Sequence, residues 1–155
     1  MRDLSGNQTM NEYSRRDFAL SGAAGLLGLA VASMARAQAK PAANRAVMQV
    51  SDNDYNKWTL TLHNARNAQT DLGAENIDLE IVVYGPGIGM LKADSPVEAR
   101  VAEALKAGVK IVACQNTMKG QKLVPADMLP NIGYVPAGVV ELIQKQQQGY
   151  AYVRP

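Results

Sequence analysis

The sequence predicts an α/β protein, a three-layer α/β/α sandwich around a mostly parallel five-stranded sheet. Three observations predict it. Short apolar runs alternate with segments of helical period. The connections between them are short. The run "IDLEIVVYG" is apolar on both faces at Ile81-Val82-Val83, as a strand inside a parallel sheet should be. Repeated strand–helix units of this kind give parallel pairing with helices on both faces.

The elements follow in order. "RAVMQV" (Arg45 to Val50) is a short strand. The cap-forming cluster "SDND" comes next. Tyr55, Trp58, Leu62, Ala65 and Leu72, with Gln69, then recur at helical spacing as far as Gly73, a residue suited to stopping a helix. Ile77 to Gly85 is the second strand, and "GPGIGML" a loop. "SPVE" predicts a capping box, with Ser95 as cap, Pro96 at the first helical position and Glu98 closing it. Val97, Val101, Ala104 and Leu105 face the core of that helix, and Gly108 ends it. "VKIVAC" is the third strand, "QNTMKGQKL" a short helix or turn, "VPADML" another, and "IGYVP" the fourth strand. "AGVVELIQKQQQG" is a helix with Val139, Val140 and Ile143 as its expected buried stripe and the glutamine run as its wet face. "YAYVRP" closes the sheet, with Tyr150 and Tyr152 packing its edge or a subunit contact.

The first 39 residues read as an address. "SRRDFAL" precedes the mildly apolar run Ala19 to Ala35, and small residues follow at the spacing read by signal peptidase. The Arg-Arg-x-Phe pattern resembles a twin-arginine export signal. Cleavage after Ala37 or Ala39 fits equally well, leaving 40–155 as a single domain in the bacterial periplasm. About seventeen Gly- and Ala-rich residues are marginal as a membrane span. No stable membrane anchor is therefore expected after cleavage. Residues 1–39 hold four of the sixteen basic residues and three of the fourteen acidic ones, so the remaining domain carries twelve against eleven. That balance argues against nucleic acid or an anionic membrane surface as partner.

Cys114 is the only cysteine. In an oxidising compartment a lone thiol is to be read as reactive or as paired between molecules. The crevice of a parallel α/β sheet lies outside the C-terminal ends of the strands. Here those ends are Ser51-Asp52, Tyr84 to Gly87, Cys114 to Asn116 and Val135 to Gly138. A helix starting just after Cys114 would aim free N–H groups at the sulfur and favour a thiolate. Lys119 and Lys122 would add positive potential.

"GPGIGML", "ACQNTMKG", "VPAGVVELIQKQQQGYAYVRP" and the helical "HNARN" resemble the DsrE/DsrF-like family of sulfur-relay proteins, from about Arg45 to the end of the chain. The resemblance implies a DsrE-like, flavodoxin-related architecture and a homo-oligomer, such as a trimer or hexamer. It also implies a sulfur carrier of sulfurtransferase type that holds sulfane sulfur as a persulfide on a cysteine just after the third strand, the position of Cys114. Donor and acceptor, whether proteins or small thiols, stay unassigned. The residues expected to surround the thiol are Gly85, Pro86, Gly87, Gln115, Asn116, Thr117, Pro136 and Gly138, with Asn64 and Asn67 reaching in from the first helix. Two other readings of the same crevice stand beside the carrier: a non-catalytic binding module and a redox-sensing thiol.

Other chemistries find less support. "GPGIG" lacks the Lys-Ser/Thr of a phosphate loop and the spacing of a dinucleotide fingerprint, and Pro86 removes a donor. His63, the single histidine, has no partners at metal-ligand spacing. A copper(I) site from Cys114 with Met90, Met118 or His63 competes with the ordinary role of Met as core filler. Trp58 is most simply core. No Ser–His–Asp set, carboxylate pair or cofactor motif is visible, so neither a metal nor a cofactor is expected.

Overall fold

The computed structural model describes residues 42–155. The expected export leader lies outside the described residues. Within them the chain runs β1 (Asn44–Val50), α1 (Tyr55–Leu72), β2 (Ile77–Val83), α2 (Glu98–Lys106), β3 (Lys110–Cys114), α3 (Gln115–Gly120), β4 (Gly133–Val135), α4 (Gly138–Gln147) and β5 (Ala151–Val153). The sheet order is β4-β3-β2-β1-β5. Every pairing is parallel, so the expected "mostly parallel" sheet is entirely so.

This order fixes where the helices go. From β1 to β4 the chain steps one strand at a time in one direction, and right-handed crossovers then put α1, α2 and α3 on one face. The step from β4 back past β1 to β5 puts α4 on the other. The packing agrees. Trp58, Leu62 and Ala65 of α1, Val101 of α2 and Met118 of α3 share a core with Met48, Val50, Leu79, Ile81, Val83, Ile111 and Ala113. On the opposite face Leu142 of α4 packs with Val47 and Val82, flanked by Tyr84, Val112 and Tyr150.

Asp54 caps α1, its Oδ1 accepting the N–H of Asn56 at 2.8 Å and of Lys57 at 3.2 Å. The buried stripe of α1 is narrower than its periodicity suggests. Trp58, Thr61, Leu62 and Ala65 are buried. Tyr55 and Leu72, in the terminal turns beyond the packed stretch, are exposed. Thr61 is tolerated inside because its hydroxyl donates to Lys57 O at 2.7 Å.

"GPGIGML" is a 3-10 helix rather than a loop, and it buries Ile88, Met90 and Leu91. Its glycine at 87 lies against the end of β1, where a Cβ would sit 2.7 Å from Val50 O. The expected capping box at "SPVE" does not form. The buried Val97 keeps a non-helical backbone (φ −109°, ψ 13°), and α2 starts at Glu98. Ser95 Oγ instead accepts the Val97 N–H at 3.4 Å.

The largest departure concerns α4. Val139, Val140 and Ile143 are 55%, 45% and 49% exposed. The inward stripe is Gly138, Glu141, Leu142 and Lys145, at helical spacing. The reason lies across the interface, on β2. Glu80 is only 3% exposed, and its Oε2 binds Lys145 Nζ at 2.6 Å. Glu141 Oε1 approaches the same ammonium at 3.6 Å. Turning the valine face inward would strand Glu80 without its cation, at a cost of several kcal/mol for a buried charge.

Candidate functional site

The C-terminal edge has a topological switch point between β3 and β4. The segments leaving β3 and β4 depart to opposite faces, α3 to one and α4 to the other. Such a divergence is where ligands enter doubly wound sheets. Cys114 ends β3 directly beside Val135 of β4. It is also the residue that caps α3. The Sγ is therefore bracketed by the starts of two helices.

Donors converge on that sulfur. The Thr117 N–H points to Sγ at 3.4 Å. The Thr117 hydroxyl and the N–H groups of Gly138, Thr117 and Asn116 all favour the thiolate. Burial acts the other way and is the largest single influence, since Cys114 is 5% exposed. The donors together outweigh it and bring the thiol below the ordinary cysteine value. No lysine is among the largest of these influences, so the nearby donors outrank any potential from Lys119 and Lys122.

The neighbouring loops hold the donors in place. Gly85 N–H donates to Thr117 Oγ1 at 2.9 Å, leaving the Thr117 proton free for sulfur. Gln121 Nε2 reaches Gly85 O at 3.4 Å. Asn116 N–H donates to Pro136 O at 3.1 Å, tying the start of α3 to the β4–α4 turn. Gly87 N–H donates to Ser51 O at 3.1 Å, anchoring the 3-10 helix to β1. Gly138 must lack a side chain, because a Cβ there would lie 2.9 Å from Tyr84 Cβ and its ring. The close approach of the Gly138 backbone follows from that contact.

Of the residues expected around the thiol, Gly85, Thr117, Asn116, Pro136 and Gly138 thus form one connected cluster with Cys114. Pro86 and Gly87 belong to the same turn. Gln115 is the exposed first residue of α3. Asn64 and Asn67 are not brought to the crevice. They lie about 14 and 18 Å along α1 from its start at the strand ends, at the usual rise per residue, and make no contact with the cluster. His63 pairs with Arg100 on α2, at 2.7 Å. Among the described residues no group of three or more His, Cys, Asp or Glu side chains is placed to hold a metal ion.

Two features escape the sequence reading. Tyr84, half-buried against Gly138, forms one wall of the crevice. Burial and the neighbouring Tyr152 push its phenol up. The Glu80–Lys145 pair lies on the face of the sheet that α4 covers. Burial pushes the Glu80 carboxyl up despite its cation. The Lys145 ammonium is lowered by burial but raised further by Glu80, for a net rise. Glu80 Oε1 has no hydrogen-bond partner. Glu80, a carboxylate inside the otherwise apolar "LEIVV", is the signal by which this pair could have been found.

Comparison with known proteins gives the fold a lineage. The chain matches the DsrE/DsrF-like family over residues 22–155. A protein of unknown function from Methanobacterium thermoautotrophicum is 31% identical, with a TM-score of 0.69 over 72% of this chain and 99% of its own. A conserved protein of unknown function from Bacteroides thetaiotaomicron is 15% identical, with a TM-score of 0.60 over 72% of this chain and 95% of its own. The ychN protein from E. coli is 14% identical, with a TM-score of 0.58 over 72% of this chain and 99% of its own. The last two speak to the fold alone. No curated protein matches the sequence. On the extent of the family match and the likeness to the methanogen protein, the chain belongs to the DsrE/DsrF-like family.

Proposed function

We propose that this protein is a sulfur carrier in which Cys114 holds sulfane sulfur as a persulfide. The observation that carries the reading is a lone thiol at the end of β3 whose Sγ receives the Thr117 N–H at 3.4 Å, with the Thr117 hydroxyl and neighbouring backbone N–H groups favouring its ionisation. The thiolate attacks the terminal sulfur of a sulfane donor. A new S–S bond forms, the donor's own S–S bond breaks, and the donor leaves as a thiolate with the electron pair. An acceptor thiolate then attacks the outer sulfur and releases the Cys114 thiolate, so no external oxidant or reductant is consumed. With one cysteine in the chain, no internal thiol can discharge the persulfide as a disulfide.

A donor test separates this reading from its rivals. The purified protein is incubated with a polysulfide and its intact mass measured with and without reductant. A reducible gain of about 32 Da, one sulfur atom on the thiol oxidation ladder, that is absent from Cys114→Ser is the expected result. The burial of Sγ favours a non-covalent binding module instead, and that reading takes over if no donor modifies the thiol. Peroxide-driven dimerisation through Cys114 without sulfur loading would point to a redox sensor.

The carrier works as a periplasmic homo-oligomer. Residues 1–39 serve as a twin-arginine leader cleaved near Ala37 or Ala39, and 40–155 are the working domain. Translocation that survives Arg15-Arg16→Lys-Lys would remove the twin-arginine assignment. The outward Val139, Val140 and Ile143 supply the apolar surface for a second copy of the chain.

A further inference from the structure

We propose that the groove between α1 and α2 binds a small organic oxyanion, with a phosphate or sulfonate head on an apolar body, through Arg66 and Arg100. This site stands independently of the thiol chemistry and shares no residue with the Cys114 cluster.

The two helices pack side by side on one face of the sheet. Between them runs a groove of ≈ 580 Å³, with His63 and Arg66 on one wall, Arg100 and Glu103 on the other, and Leu62 and Ala104 at its base. That volume lies within the range of about 300–1,000 Å³ common for small-molecule sites. Gln69 Nε2 donates to Ala107 O at 2.8 Å and ties the two helices together at one end.

The charges in the groove are left available. Lys57, Lys92, Lys110, Lys145 and Arg154 each pair with a carboxylate. Arg66 and Arg100 pair with none among the described residues, although Glu103 lines the same groove. Arg100 Nη1 lies 2.7 Å from His63 Nε2. A guanidinium only donates, so Nε2 is the acceptor and His63 carries its proton on Nδ1. A neutral imidazole therefore orients Arg100 without cancelling its charge. Two guanidiniums oppose one carboxylate, and the planar guanidinium fork matches a phosphate or sulfonate head. The Leu62 and Ala104 base favours an apolar body below that head. The segment "HNARN", left without a task at the thiol, supplies His63 and Arg66 to this groove.

Phenyl phosphate and inorganic phosphate are the probes, titrated into the purified protein at low salt by calorimetry and by amide NMR. Phenyl phosphate is expected to bind saturably and more tightly than inorganic phosphate, with shifts in residues 62–69 and 100–107. Arg66→Gln and Arg100→Gln, both at exposed positions that a folded protein tolerates, should each weaken it by about tenfold or more, as loss of a charged hydrogen bond implies. Glu103→Gln should tighten it, and Cys114→Ser should leave it unchanged, so failure of the carrier reading would not touch this one. The proposal is overturned by the absence of saturable binding, or by arginine variants that bind like the parent. Inorganic phosphate binding as tightly as phenyl phosphate would also overturn it, making the groove a site for free oxyanions.

Discussion

Thr117 relays the backbone of Gly85 to Cys114: its hydroxyl accepts the Gly85 N–H at 2.9 Å and is left with one proton to give to the sulfur. The 3-10 helix after β2 and the thiol after β3 are thus joined through one side chain. Thr117→Val keeps the shape and removes the relay. A hydrogen bond to a charged group is worth about 1.5–3 kcal/mol, so the thiol pKa should rise. Thr117→Ser should stay near the parent. The pH dependence of iodoacetamide alkylation reads the difference, and equal profiles for valine and threonine would remove the relay.

The sign of the parent's own profile follows from its depressed thiol. Thiolate is populated at lower pH than in a free cysteine. Alkylation of the folded protein should therefore reach half its plateau below the midpoint of a denatured control. A midpoint above the control would mean that burial wins over the donors.

Gly138→Ala introduces a Cβ 2.9 Å from Tyr84. Overpacking of this kind costs about 1–3 kcal/mol, and relieving it moves the Gly138 N–H off the sulfur. Loss of stability in urea and a raised thiol pKa should appear together. Gly138→Ala with Tyr84→Ala should recover part of the thiol shift.

The Glu80–Lys145 pair has an asymmetric signature. Glu80→Gln leaves the Lys145 ammonium with only the more distant Glu141 at 3.6 Å, so a loss approaching the ~3–5 kcal/mol typical of a broken buried pair is expected. Replacing both residues with Met should cost far less, and equal losses for single and double variants would deny the coupling. Because the folded-state Glu80 carboxyl titrates above its unfolded value, its contribution to stability is present at acid pH. That contribution is lost as pH rises from the ordinary carboxylate range through the raised value. Chemical denaturation of parent and double variant across that window measures it.

Ile143→Glu and Val140→Glu change only the outward face of α4. Light scattering should show a smaller species than the parent, with monomer stability within about 0.5 kcal/mol, as for surface substitutions generally. A parent that is already monomeric would leave the valine face without its second copy.

Much of this architecture is legible in the sequence because its signals are local. Period-2 and period-3.6 runs locate the strands and helices, and the strand ends locate Cys114 between Gly85 and Gly138. What is not legible depends on contacts distant in the chain. The orientation of α4 is one case. Its valines make the better apolar stripe, but Lys145 answers to Glu80, sixty-five positions earlier, and one buried pair outweighs the local pattern. The cap of α2 is another, since the demand of the core for Val97 overrides Ser95. Asn64 and Asn67 are a third: the helical period gives their face but not their depth, and nine and twelve residues of rise carry them away from the edge.

The placement of β5 beside β1 has a consequence for how the chain comes to be folded. Ala46 pairs with Ala151 and Met48 with Val153, so β1 is completed by a strand made about a hundred residues later. Such sequence-distant parallel pairing is slow, because loop closure precedes any reward. Until residues 151–153 have left the ribosome, that edge of β1 is unsatisfied. The native sheet assembles only once β5 is available, and deletion of 151–153 would leave β1 as the edge strand in its place.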